Sequence, residues 1–439
     1  MTVQSPSSPL RLGIAGLGTV GIGVIRMLRE NAELITARAG RPLVVTAVAA
    51  RDRTRDRGVD LSGLNWHDDA AALATDPDVD VVIELIGGAE GKARELVTAA
   101  LGQGRPVISA NKALIALHGE ELAGLSEAHG ASLLFEAAVA GGIPAIKTVR
   151  EGLAADRLLR VGGILNGTCN YILTTMRETG RDFDDVLTEA QNLGYAEADP
   201  STDIDGHDAA HKLTILASLA FGCPVPYSAV QVEGIRNVGA ADLAFARDLG
   251  YRLKLLGTAR RTEAGVEVRV GPCLVPNRAP IAQVDGVFNA VIAEGAFVGQ
   301  IMLEGRGAGA GPTATAVCAD LIDLARGVQV PVWGVKSGNL GSVIHCLPPE
   351  KHEGAFYLRL NVEDRAGVLA DITAIFRDNG VSLRSMIQTP VDSASGQKTV
   401  PLVLMTHETL EGAMQNAVRH IAELPVVHGH LNLLRVEEG

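Results

Sequence analysis

The chain has 439 residues, a net charge of −12, 47% hydrophobic content and only 3% aromatics. That length exceeds one ordinary domain, so two or three are expected. The acidic balance and the scarcity of stacking rings disfavour a nucleic-acid binder.

The Ser/Pro-rich opening, residues 1–9, reads as a mobile tail. LRLGIAGLGTVGIGVIRMLRE then reads as an apolar strand, a glycine turn and a helix. Further β-branched strands follow at 42–50, 79–87, 106–111 and 132–139, with helical stretches between them. Nearly continuous apolar strands alternating with helices predict an α/β fold, a Rossmann-type doubly wound parallel sheet covered on both faces. After about residue 140 longer helices (143–155, 167–179, 183–193, 207–222) mix with strands at 265–275 and 286–295, which predicts an α+β second domain. The glycine-rich segment 304–327 reads as a loop opening a helix that returns to the first domain. Residues 328–354, with Pro331, Pro348 and Pro349, read as a linker. Beyond them the pattern is βαββαβ, the order of a ferredoxin-like sandwich.

The five cysteines (Cys169, Cys223, Cys273, Cys318, Cys346) are odd in number, widely spaced and free of any CxxC. They read as buried thiols in a reducing compartment. No stretch approaches the ~18 apolar residues of a membrane span, and a cytoplasmic protein is expected.

Gly16, Gly18 and Gly21, within Gly16-Leu17-Gly18-Thr19-Val20-Gly21, form G-x-G-x-x-G between strand and helix. The first glycine permits the turn, the second lets a pyrophosphate approach, and the third packs helix on strand. The acid usually found after the second strand is replaced by Arg51, Arg53, Arg55 and Arg57, with Asp52 among them. Arginine there suits a 2′-phosphate, so NADP is expected ahead of NAD. Arg55 and Arg57 are expected to be merely solvated. Lys112 follows the strand 106–111, at the carboxyl end where ligands of open sheets bind.

NLGYAEADPSTDIDGHDAAHKL (192–213) gathers Glu197, Asp199, Asp203, Asp205 and Asp208 before Lys212. Asp208 and Lys212 share a helix face, and Asp205 is readable as the helix N-cap. A calcium loop aligned on Gly206 would need a carboxylate where Lys212 stands, which removes that option. HDAAH lacks the glutamate of a zinc HExxH motif. The remaining functional reading is a pocket for an ammonium-bearing substrate, with a lysine that exchanges a proton while the adjacent carbon gives up hydride.

GLGTVG, SANK, FEAAVAGGIPAI, LNGTCNYIL, GYAEADPSTDIDGHDAAHKL and GRGAGAGPTATAV together resemble homoserine dehydrogenase, over residues 10 to about 345. The resemblance implies interconversion of L-homoserine and L-aspartate 4-semialdehyde with NADP or NAD, on the route to threonine and methionine. It matches Lys212 to the family's acid/base lysine and Lys112 to a second active-site lysine. Glu197 and Asp208 match substrate-holding carboxylates, with Asp203 close by. Glu136, Val139, Gly141 and Ile143 match a monovalent-cation site, for which sodium is expected, ligated largely by backbone carbonyls. Thr19, Val20, Arg51 and Gly309 match cofactor contacts. The C-terminal segment resembles an ACT module, with VEDRAGVLADI as its ligand loop; Asp364, Gly367, Val368 and Asn379 are its candidate contacts, and threonine the natural effector.

The domains expected are 10–140 for the nucleotide, completed by about 305–330, then 141–304 for substrate and dimerisation, a linker at 331–354, and the ACT module at 355–439. The partners implied are the small-molecule substrate, a threonine effector and further copies in a homodimer or homotetramer, with neither nucleic acid nor membrane. Two other readings stay open at this point: another ACT-bearing nicotinamide-linked dehydrogenase, and a non-catalytic sensor of a dinucleotide and an amino acid. The first would want a His–acid pair and an arginine cluster for phosphate, neither well placed here. The second has no use for a proton acceptor such as Lys212.

Overall fold

The computed structural model describes residues 8–341, 345–388 and 399–437. The expected mobile tail therefore lies almost wholly outside the described residues, as do positions 342–344 of the linker. Internal packing divides the chain into two compact units. One comprises residues 1–165, 210–228 and 288–344; the other comprises 166–209, 229–287 and 345–439.

The first unit is built on six parallel strands: β1 (Leu10–Ala15), β2 (Leu43–Ala49), β3 (Asn65–His67), β4 (Val81–Glu84), β5 (Val107–Ser109) and β6 (Leu133–Leu134). They lie in the order β3-β2-β1-β4-β5-β6, the doubly wound arrangement expected. Leu12, Ile14, Val81 and Ile83 are almost fully buried, because helices cover both faces of such a sheet. β6 is shorter than the 132–139 expected, since Glu136–Ala138 wind into a 3-10 turn instead. In helix Ala310–Ala325, Ala314, Val317 and Leu321 are buried among the residues of β1 and helix Thr19–Glu30. Strands Gly299–Arg306, Phe288–Gly295 and Leu158–Ile164 form an antiparallel piece of the same unit.

In the second unit, helices Gly167–Thr179, Phe183–Asn192 and Ala240–Asp248 accompany a hairpin of Tyr251–Arg261 and Val266–Pro276. Lys254, buried on that hairpin, donates to Asn170 Oδ1, to the Val284 carbonyl and to Asp285. Burial pushes its ammonium down to about 8. For Asp285 burial works the other way, but Arg177 and Lys254 outweigh it and hold the carboxyl at about 2.

The C-terminal part runs strand Glu353–Glu363, helix Val368–Asp378, strands Leu383–Gln388 and Thr399–Thr406, helix Glu411–Ala422 and strand Val427–Val436. This is the βαββαβ order, and the strands pair as 427–436, 353–363, 399–406, 383–388 across the sheet. Leu358, Leu360, Ile372, Phe376, Leu402, Leu404, Met414 and Ile421 close a core of their own between sheet and helices. The module is joined sideways to its neighbour: Val427–Val436 pairs in parallel with Val266–Pro276, through Cys273↔Arg435 and Leu274↔Val436. A second tie is Asp242, fully buried, which accepts from Tyr357 Oη, Arg359 and Asn432 Nδ2 as well as from the Gly239 N–H.

Candidate active site

The glycine turn follows β1 directly, and the Gly16 N–H is held by the Ala49 carbonyl at the end of β2 (2.9 Å). Gly16 has φ +98°, and a Cβ there would lie 2.4 Å from the Leu85 carbonyl oxygen. A Cβ on Gly21 would sit 2.1 Å from the Gly16 carbonyl oxygen, so helix and turn touch backbone to backbone. A Cβ on Gly18 would meet nothing within 4 Å. The three glycines thus differ in the way a dinucleotide requires: two are forced by the protein itself, and the middle one leaves an approach open. Helix Thr19–Glu30 has no side-chain cap and no acid in its first turn, which leaves its N–H groups to an anion. Leu17 is buried in the core, Thr19 and Val20 form the first turn, and Gly309 precedes helix Ala310–Ala325 at φ +110°. Arg51 is exposed two residues beyond β2.

The contrast among the glycines is testable. Gly18→Ala is expected to fold with an unchanged melting temperature while raising the cofactor Kd roughly tenfold, about 1.4 kcal/mol. Gly21→Ala is expected to cost about 1–3 kcal/mol of stability, because backbone must shift to admit the methyl group. Thermal unfolding and cofactor titration on both variants check the pair, and equal melting temperatures would refute it.

Lys112 opens helix Lys112–His129, and a buried acid sets its position. Glu84, fully buried at the end of β4, accepts from the Ile86 and Gly87 N–H groups and from Ser109 Oγ. Ser109 Oγ accepts from the Asn111 N–H, and Asn111 caps the helix through Leu114 N while donating to the Gly88 carbonyl. Sequence reasoning missed Glu84; an acid ending an otherwise apolar strand was the available signal.

In the second unit Asn166 gathers the acidic run. Its Oδ1 caps helix Gly167–Thr179 by accepting from the Cys169 N–H. Its Nδ2 donates at 2.8 Å both to Asp203 Oδ1 and to Asp208 Oδ2. Thr168 Oγ1 adds a longer contact to Asp203 Oδ2 (3.3 Å). Asp203 and Asp208 are therefore brought together, whereas Glu197 is exposed and the run near it is tied by Gln191 Nε2 to the Glu197 carbonyl. Two readings change. Asp205 is not the helix N-cap; helix His207–Phe221 starts after Gly206, and the Asp205 carboxylate pairs with Arg236 instead. Asp199, without an expected role, accepts from the Ser201 N–H in a local turn just ahead of the short helix Ser201–Ile204. Asn166 went unnoticed as a site residue, although its N-cap position before GTCN was readable.

Helix His207–Phe221 carries Asp208 and, one turn on, Lys212. Lys212 is only 8% exposed, and within the first unit its Nζ donates to the Leu165 carbonyl at 2.7 Å. His211 stacks on Tyr227 with ring centroids 4.5 Å apart, a packing role. Among the described residues no group of three or more His, Cys, Asp or Glu is arranged to hold a metal ion.

The segment 136–143 is buried except at Gly142 and sharply turned, with Ala140 at φ 54° and Gly141 at φ 51°. The Glu136 carboxylate accepts from the Ile146 and Lys147 N–H groups, and burial, with Asp320 close by, pushes it up to about 7. The Ile143 carbonyl is taken by the Ala145 N–H. The Val139 and Gly141 carbonyls accept no hydrogen bond from the described residues, and both residues are buried. Buried carbonyls normally find a partner, so these two fit a cation bound through backbone oxygens.

In the C-terminal module Gly367, at φ +96°, precedes helix Val368–Asp378, and a Cβ there would meet nothing within 4 Å. Asp364 lies in the same exposed loop, with Gln388 Nε2 at 3.5 Å. Val368 is buried in the module core, and the Asn379 amide closes the far end of the helix by donating to the Ile375 carbonyl. Twelve helical steps separate Gly367 from Asn379, roughly 18 Å, so one small amino acid does not span both within a single copy.

A dinucleotide turn and a buried lysine within one compact unit are the working parts of a nicotinamide-dependent oxidoreductase that handles an alcohol and its carbonyl. Comparison with known proteins narrows this class. The chain matches the family models "Homoserine dehydrogenase, NAD binding domain" over residues 16–136, "Homoserine dehydrogenase" over 144–322 and "ACT domain" over 356–424. It is 46% identical to the homoserine dehydrogenase of Pseudomonas aeruginosa, covering 98% of this chain and 99% of that one. The crystal structure of a homoserine dehydrogenase from Thiobacillus denitrificans superposes with a TM-score of 0.93 at 46% identity, covering 99% of this chain and all of that one. A hyperthermophilic archaeal homoserine dehydrogenase solved in complex with NADPH matches at a TM-score of 0.63 and 26% identity, covering 73% of this chain and 99% of that one. The chain belongs to the homoserine dehydrogenase family and carries a C-terminal ACT domain.

Proposed function

We propose that the enzyme interconverts L-homoserine and L-aspartate 4-semialdehyde with Lys212 as the acid/base, and that threonine regulates it through the ACT domain. The observation that carries this reading is the seating of Lys212. Its side chain is buried, its Nζ donates to the Leu165 carbonyl, and along the helix it follows Asp208, whose carboxylate Asn166 orients, by one turn. The nicotinamide, when bound, accepts or returns the hydride. Lys212 takes the proton from the substrate hydroxyl in the oxidative direction and restores it in the reductive one. Asp208 and Asp203, joined by Asn166, receive the substrate's ammonium group, with Glu197 closing over it from the exposed side. Lys112, fixed through Glu84, Ser109 and Asn111, assists at the carboxyl ends of the strands.

The exposed arginines after β2 favour NADP over NAD. A monovalent cation, sodium by preference, sits on the Val139 and Gly141 carbonyls, with Glu136 and Ile143 completing its surroundings; its part is to hold the turn. In the ACT domain Asp364 and Gly367 form one end of the threonine site, and Asn379 of another copy supplies the other, in a homodimer or homotetramer. No helix among the described residues is long and apolar enough to cross a membrane, and we place the enzyme in the cytoplasm, on the route to threonine, methionine and isoleucine.

Absorbance of the reduced nicotinamide, followed with L-homoserine and either NADP+ or NAD+, tests the reading. Turnover is expected with a higher kcat/KM for NADP+, and L-threonine is expected to slow it. Relief of that inhibition by Asp364→Ala would support the ACT site. Indifference of the wild-type enzyme to threonine would remove the regulatory part.

A further inference from the structure

The loop between β2 and β3 carries Arg51, Arg53, Arg55 and Arg57 within seven residues of a chain whose net charge is −12. Its three acids form no ion pair with them. Asp52 Oδ1 accepts from the Thr54 N–H (2.8 Å), Thr54 Oγ1 (2.7 Å) and the Arg55 N–H (3.2 Å). Asp56 Oδ1 accepts from the Gly58 N–H at 2.8 Å. Asp60 Oδ1 accepts from the Ser62 N–H at 2.8 Å. All three carboxylates thus help to fold the loop, and among the described residues none of the four guanidinium groups forms an ion pair.

Trp66 on β3 underlies this arrangement. The guanidinium carbons of Arg53 and Arg57 lie 5.8 and 5.5 Å from its ring centroid, within cation–π range. Arg57, expected to be solvated, is half-buried; it donates through Nη1 to the Arg55 carbonyl (2.8 Å) and through Nη2 to the Asp52 carbonyl. Arg57 Nε and Trp66 Nε1 are buried donors without a partner among the described residues. β3 registers Val48 opposite Trp66, so the indole stands one residue short of the end of β2, beside the strand whose Ala49 holds Gly16. A cavity of about 630 Å³ joins the two regions, with Gly18 and Thr19 on one wall, Arg55 and Arg57 on another, and Arg26 and Glu30 between.

We infer that Trp66 is a positioning residue for recognition of a nucleotide phosphomonoester, the 2′-phosphate of NADP, through the arginine loop. Its ring seats Arg53 and Arg57, Arg57 ties the loop backbone through two carbonyls, and the loop holds its guanidinium groups beside the glycine turn. This rests on the NADP preference proposed above and adds the residue on which that preference depends.

Calorimetric titration of the full-length enzyme with 2′,5′-ADP and with 5′-AMP separates the two ideas. The wild-type enzyme is expected to bind 2′,5′-ADP more tightly; equal affinities would overturn the NADP preference itself. Given that preference, Trp66→Leu is expected to weaken 2′,5′-ADP tenfold or more and 5′-AMP less than twofold. Trp66→Phe, which keeps an aromatic face, should recover most of the loss. In turnover the same pattern should appear as a raised KM for NADP+ with kcat little altered. Arg53→Leu, an exposed change that the fold tolerates, should lower 2′,5′-ADP affinity in the same direction. Equal losses for both nucleotides, or none, would overturn the role of Trp66.

Discussion

Lys212→Ala is expected to lower kcat for homoserine oxidation by roughly 10²- to 10⁴-fold, the range for losing a positioned acid/base group. The lysine Nζ donates to the Leu165 carbonyl in its own unit, and Leu213, Ile215 and Leu216, next along the helix, are fully buried. Lys212→Arg sharpens the test. Arginine keeps the positive charge near the substrate but does not give up its proton at any working pH, so an electrostatic role would survive and a proton-transfer role would not. Steady-state kinetics on both variants, with circular dichroism to confirm folding, decide the matter. Near-normal kcat in Lys212→Arg would mean that charge alone is needed.

The second large effect is on stability. Asp242→Ala is expected to destabilise the protein by about 3–5 kcal/mol, as for removing one partner of a buried ion pair. Asp242 is fully buried and receives five hydrogen bonds, two of them from Arg359, whose side chain is 16% exposed. Without the carboxylate, the Arg359 charge and the Tyr357 hydroxyl lose their acceptor in a low-dielectric setting, and the Asn432 amide keeps only a long contact to the Asn237 carbonyl. Urea denaturation should show the loss, and hydrogen exchange should place it on the strand Glu353–Glu363. A change below about 1 kcal/mol, the scale of an exposed pair, would show that water enters freely and that the network is weak.

The parts of the fold that could be read from the sequence were those whose causes are local. The glycine turn was legible because each glycine answers to a neighbour a few residues away or to open space beside it. Helices Gly167–Thr179, Phe183–Asn192 and His207–Phe221 were legible from their apolar period and their boundaries. Strands Asn65–His67 and Gln231–Val232 were too short to carry a period of their own. What escaped depended on distant partners. Asp205 looked like a cap until Arg236, 31 residues on, took its carboxylate. Asn166 joins Asp203 and Asp208 across 37 and 42 residues, and only the fold brings them within reach. Arg57 looked solvated because nothing in its own stretch announces the indole of Trp66. A cation site made of carbonyls leaves no mark in residue types at all, and only the family resemblance pointed to it.

The parallel pairing of Val427–Val436 with Val266–Pro276 also orders events in time. The inner strand leaves the ribosome long before its neighbour is made, a delay on the order of ten seconds or more at ordinary elongation rates. Throughout that interval part of its edge has unpaired N–H and C=O groups, and an open edge is a template for mispairing. The ACT domain is thus a late-arriving cover for the body of the enzyme as well as its expected sensor, and nascent chains are most exposed to aggregation while it is still being synthesised.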